Sequence, residues 1–154
     1  MNRDPNQRVR STAGTMTVAE LEARVALLEP RVVLMREVPH ATAETFAVLI
    51  DRARELGSQF DRWVMIVDLS EVTERPRGHY LQMIRRDVLS KVGPAGPIIY
   101  LSVVQPGNAF MRTILGFVLG RVSRHITVHG NREAALAACR EALADSPEHS
   151  RQAK

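Results

Sequence analysis

The chain has 154 residues, enough for one domain with a core of its own and too few for several. Hydrophobic residues make up 45% and charged residues 25%, which excludes a disordered or fibrous chain. The formal net charge is +4, but acids and bases alternate along much of the chain, as in DRARE (51–55), which disfavours a nucleic-acid footprint and leaves an acidic partner or an anionic membrane surface as fits for the bias.

Residues 1–15 are polar, with Pro5, Ser11, Thr12 and Gly14 among them, and read as a disordered arm. Thr17 and Glu20 have capping-box spacing, and Val18, Leu21, Val25 and Leu28 follow helical spacing. Arg24–Leu28 and Arg31–Val38, parted by Glu29-Pro30, also read as two strands. The hairpin is favoured over 24–38, with a short lead-in that is either helical or extended. Thr42 then precedes a helix with Phe46, Leu49, Ile50, Ala53 and Leu56 on its apolar face, closed by Gly57. WVMIVDL (63–69) is a strand apolar enough to be buried on both faces. After a loop at 70–78, a second helix runs from Tyr80 to Val92 with Leu81, Ile84, Val88 and Val92 on one side, and GPAGP (93–97) stops it. IIYLSVV (98–104) is another buried strand. Asn108 precedes a third helix over 109–123, His125–His129 is a short strand, and Asn131 caps a last helix over 132–144. DSPEHSRQAK (145–154) reads as a disordered tail, so the domain spans 16–144.

The predicted order is β(β)αβαβαβα. It gives an α/β fold with a mixed sheet of four to five strands, parallel where helical crossovers connect it, and helices packed on it. The lone cysteine, Cys139, makes no internal disulfide, and MNRDPNQRVR has no apolar signal core. The most apolar stretch, 109–120, is broken by Arg112 and is too short to span a bilayer, so a cytoplasmic location is expected.

Two segments resemble a known family. WVMIVDLSEV (63–72) is similar to the central strand and DLS-type turn of the STAS domain, the fold of bacterial anti-sigma-factor antagonists and their SpoIIAA-like relatives. HITVHGNREAALAACREAL (125–143) is similar to the closing strand and helix of that fold. The resemblance covers roughly residues 24–144, more in element order than in motif. It implies a STAS/SpoIIAA-like fold and a regulatory domain that works by protein contact. Members regulated by phosphorylation carry an Asp-Ser pair shortly after the DLS turn. Here Pro76 and Arg77 stand in those places, so the phosphoacceptor is missing. Ser70 and Thr73 are nearby hydroxyls outside the family position.

Asp68 falls at the carboxyl end of a buried strand, where open α/β sheets bind ligands, although an aspartate there commonly just caps its own loop. A Ser-His-Asp set can be drawn from Ser70, His79 and Asp68, but no G-x-S-x-G elbow surrounds the serine. His125 and His129 flank a strand, His40 and His149 stand apart, and no second cysteine or HExxH is present, so no metal site is expected. No glycine-rich phosphate loop opens a helix. The chain is therefore read as a non-enzyme without a cofactor.

The third helix is apolar nearly all round: Phe110, Met111, Ile114, Leu115, Phe117, Val118, Leu119 and Val122. A helix wet on one face shows a single apolar stripe. Either it is buried within its own fold, or one face packs on the sheet and another meets a partner chain, a lipid or a membrane surface flanked by Arg112, Arg121 and Arg124. Gly116 and Gly120 would let a second helix approach. The expected contact residues are Asp68, Ser70, Thr73, Arg77, Met111, Leu115 and Val118. The expected partner is another protein, including a second copy of this chain as a homodimer. The alternative is an apolar ligand or lipid in a pocket between the third helix and the sheet, lined by Trp63 and Phe117.

Overall fold

The computed structural model describes residues 2–11, 13–73 and 78–146, without the side chains of residues 78–81, 109–111, 114 and 117. Its centre is a five-stranded sheet in the order β3 (Val25–Glu29), β4 (Val32–Arg36), β5 (Trp63–Asp68), β6 (Ile98–Val104), β7 (Ile126–His129). β3 and β4 form an antiparallel hairpin, and every later pairing is parallel. Arg31 takes the positive φ that the two-residue turn between β3 and β4 requires (72°). The α/β class and a mixed sheet are as the sequence predicts, with five strands out of the four to five expected.

Each strand from β4 onward pairs with the next in sequence, so the crossovers all step the same way. Right-handed connections then put every crossover helix on one face. Helices α2 (Ala43–Gly57), α3 (Gly78–Asp87) and α4 (Ala109–Val122) accordingly share a core with Val33, Met35, Trp63, Met65, Leu101 and Ile126. The last helix, α5 (Arg132–Ala144), crosses to no further strand. It covers the other face, where Ala135 and Cys139 pack on Val32, Leu34, Val64, Ile66 and Ile99. The Cys139 thiol bonds the buried Ser102 hydroxyl, and burial pushes its pKa up to about 11.

Local sequence sets the helix starts. Thr42 and Thr45 cap α2 reciprocally, each side chain accepting from the other's backbone N–H (3.2 and 2.9 Å). Thr17 and Glu20 do the same for a short helix α1 (Val18–Glu22), so the first part of the lead-in is helical. Asn131 caps α5 through Ala134 N–H at 2.8 Å.

Two expectations need correction. The arm read as disordered carries an antiparallel hairpin, β1 (Arg8–Ser11) and β2 (Gly14–Thr17), that seats Val9 in the core. Its Arg10 carbonyl accepts from the Thr42 hydroxyl, which fastens it to the start of α2. The second helix ends at Asp87 rather than Val92. At Val88 the chain leaves the helical path and makes a 3-10 turn, Leu89–Lys91, that still buries Val88 and Val92. At the other end of the chain, residues 147–154 of the expected tail lie outside the described residues. Among the described residues, no helix is long and apolar enough to cross a membrane.

Candidate functional site

Parallel pairing brings the carboxyl ends of β4 to β7 to one edge, with Arg36, Asp68, Val104 and His129 in register across it. Asp68 is the last residue of β5 and points to the α5 face. Its carboxylate is 3% exposed. It accepts the Ser70 N–H at 2.9 Å, the Ser70 hydroxyl, and Arg132 Nε at 2.5 Å. The first two bonds make an Asx turn, and the third locks the first residue of α5 to the end of β5. Burial alone would raise the carboxyl's pKa. The Ser70 and Arg132 hydrogen bonds and the Arg132 charge outweigh it and hold the group below the ordinary aspartate value.

Other side chains fix the loop that follows. Thr73 donates to the Pro39 carbonyl through its N–H (3.2 Å) and its hydroxyl (3.1 Å). Arg24 donates to the carbonyls of Arg36 (3.1 Å) and Glu37 (2.9 Å) and pairs with Glu71. The Glu37 N–H reaches the Asp68 carbonyl, and the buried Glu37 carboxylate accepts from Val38 N–H. Residues 69–73 thus form a braced loop with Glu71 and Thr73 on its surface.

The chemistry of this arrangement is that of a fastening. A triad needs an imidazole between hydroxyl and carboxylate. Here the Ser70 hydroxyl bonds Asp68 directly, and a carboxylate with a depressed pKa is a weak base. The His79 side chain lies outside the described residues, as do all of Arg77 and the side chain of Met111. His129, lowered by burial, bonds the Thr127 hydroxyl at 2.8 Å, and that hydroxyl meets Tyr100 Oη. Among the described residues, no group of three or more His, Cys, Asp or Glu side chains is arranged to hold a metal.

The expected contact residues fall into two separate places. Asp68, Ser70 and Thr73 lie together at the carboxyl edge. Val118, 53% exposed, sits in the second half of α4 toward the opposite edge, while Leu115 turns in against the core. Gly116 and Gly120 do not make one outward groove: a Cβ on Gly116 would lie 4.0 Å from Val128 of β7, whereas Gly120 faces open space. Trp63 is the residue expected to line a pocket between the third helix and the sheet. Trp63 is buried beneath α2, its ring filling the space behind Gly57, and the Phe117 side chain lies outside the described residues. A cleft of about 440 Å³ opens on the α5 face, lined among others by Arg62, Ile99, Tyr100, His125, Glu141 and Ser146. The buried Ser146 hydroxyl has no hydrogen-bond partner.

Sequence reasoning singled out Asp68 and Ser70 and missed Arg132, Arg24 and Glu37. Nothing in the sequence near Arg132 signals a partner 64 residues away. The clue available was that Asn131 caps a helix whose first turn must come to rest on some strand end.

Compared with known protein families, curated proteins and solved structures, the chain finds no match in any of the three.

Proposed function

We infer that this protein is a non-enzymatic regulatory or scaffold domain of the STAS/SpoIIAA-like kind, working through protein contacts at the carboxyl edge of its sheet. The observation that carries this reading is the Asp68 carboxylate. It is fully engaged by Ser70 and Arg132, so the group best placed for chemistry is used to hold a loop in shape. A braced loop presenting Glu71 and Thr73 suits recognition, because little ordering remains to be done on binding. The element order and the DLS turn at 68–70 support the same reading, and Arg77 in the acceptor position removes the serine switch from it.

The test pairs binding with turnover. The wild-type chain should retain a stoichiometric partner from its source extract, and Glu71→Arg or Thr73→Arg should lose that partner with an unchanged circular dichroism spectrum. Hydrolysis of a generic ester or phosphate substrate that disappears in Ser70→Ala would refute the reading in favour of an enzyme.

A second reading rests on the unpartnered Ser146 hydroxyl in the α5-side cleft. Arg62 and Glu141 line the cleft together with Ile99, Tyr100 and Ala142, which suits a small molecule with both polar and apolar parts. Native mass spectrometry of the purified protein distinguishes the two readings, since a retained small molecule that Ser146→Leu expels supports the second.

A further inference from the structure

Charge is divided unevenly along the chain. Residues 75–132 hold nine of the 21 lysines and arginines but one of the 17 acids, Asp87. That segment has a net charge of +8, and the rest of the chain a net −4, against +4 for the whole. Asp87 is itself paired with Arg86.

The fold gathers part of this charge in one place. α3 and α4 lie on the same face and both run against the strands, so both end at the amino edge of the sheet. There α3 contributes Arg85 and Arg86, the turn after it Lys91, and the end of α4 Arg121 and Arg124. All five are exposed. Among them are two bare valines one helical turn apart, Val118 at 53% and Val122 at 49% exposed.

We propose that this end of the α3–α4 face docks on an anionic lipid bilayer, the valines entering the headgroup boundary and the cations lying at the phosphates. The two features together select this occupant. A nucleic acid would use the cations, but its interfaces are polar and leave the valines without a role. A second copy would cover the valines, but two-fold packing sets the patch against itself and so faces its five cations with the same five. An anionic membrane surface takes apolar side chains and cations side by side. The carboxyl-edge loop lies at the opposite end of the sheet, so this inference stands or falls independently of the partner-binding reading.

The experiment is co-sedimentation of the full chain with large unilamellar vesicles. Vesicles of equal parts phosphatidylglycerol and phosphatidylcholine should bind it, pure phosphatidylcholine vesicles should not, and added salt should weaken binding. The pair Arg121→Gln and Arg124→Gln should reduce affinity roughly 10- to 30-fold. The pair Val118→Asn and Val122→Asn should reduce it as well, with helix content and Glu71-dependent partner capture unchanged. The proposal is overturned by equal binding to both vesicle types, by vesicle binding indifferent to the valine pair, or by tighter binding to duplex DNA than to anionic vesicles. It is also overturned if light scattering shows a wild-type dimer that the valine pair dissociates, which would make this face a contact between copies.

Discussion

At the scale of single residues, Asp68 decides how the edge of the sheet is built. Its carboxyl is held below the ordinary value of about 4, so it stabilises the fold fully above that pH and stops doing so as pH falls through its lowered native value. Asp68→Asn should cost about 2–3 kcal/mol at neutral pH, the scale of charged hydrogen bonds lost to Ser70 and Arg132. The cost should shrink below pH 4, where the wild type is losing the same interaction. Urea unfolding of both proteins at pH 7 and pH 3 checks this. An equal loss at the two pH values would mean that Asp68 acts through packing alone. Glu20, lowered by the Thr17 backbone, and Glu29, lowered by Arg140, are exposed enough that solvent screens them, so they should add little to the acid limb. The position of Asp68 at a strand end was legible in the sequence, because the apolar run stops there. Its partner Arg132 was not, because that pairing exists only once α5 has folded back across the sheet.

At the scale of elements, the helices and strands that sit on strong apolar periods were readable: α2, β5, β6, α4 and α5 fall within a residue or so of where the pattern puts them. The misses have physical causes. The spacing of Ile84, Val88 and Val92 suits a continued helix, but a 3-10 turn buries the two valines equally well. The β1–β2 hairpin is polar because little of it is buried, so composition hid it. Two glycines show how far packing departs from pattern. Gly57 looks like a helix terminator, yet a Cβ there would sit 2.2 Å from Trp63 Cε2. Gly57→Ala should therefore destabilise by about 1–3 kcal/mol through overpacking. It should also shift the emission of the single tryptophan. Gly120 meets nothing within 4 Å, and Gly120→Ala should instead stabilise, by up to about 1 kcal/mol. Thermal unfolding read by tryptophan fluorescence and circular dichroism separates the two. A Gly57 variant as stable as wild type would show that the α2–β5 contact is looser than its geometry.

At the scale of the whole molecule, the sheet is covered unequally. Four helices, α1 to α4, and the β1–β2 hairpin serve one face, while α5 alone serves the other. Beneath α5 lie Val32, Leu34, Val64, Ile66, Ile99 and Val104, all buried. Six such side chains contribute roughly 9–18 kcal/mol by burial, at about 1.5–3 kcal/mol each. That equals or exceeds the roughly 5–15 kcal/mol by which domains of this size are stable. A chain ending at Gly130 should therefore not hold the fold. It should aggregate or show the weak amide dispersion of a collapsed chain, and it would also leave Asp68 without Arg132. The β1–β2 hairpin, by contrast, places only Val9 fully in the core, with Met16 partly buried against it. A chain lacking residues 2–15 should lose a few kcal/mol at most, on the order of one or two buried side chains, and remain cooperative. Amide proton spectra and urea melts of the two truncations settle the contrast. A folded 1–130 chain would show that the helices of the α2–α4 face suffice to hold the sheet. A collapsed 16–154 chain would show that the arm braces α2 more than its burial implies.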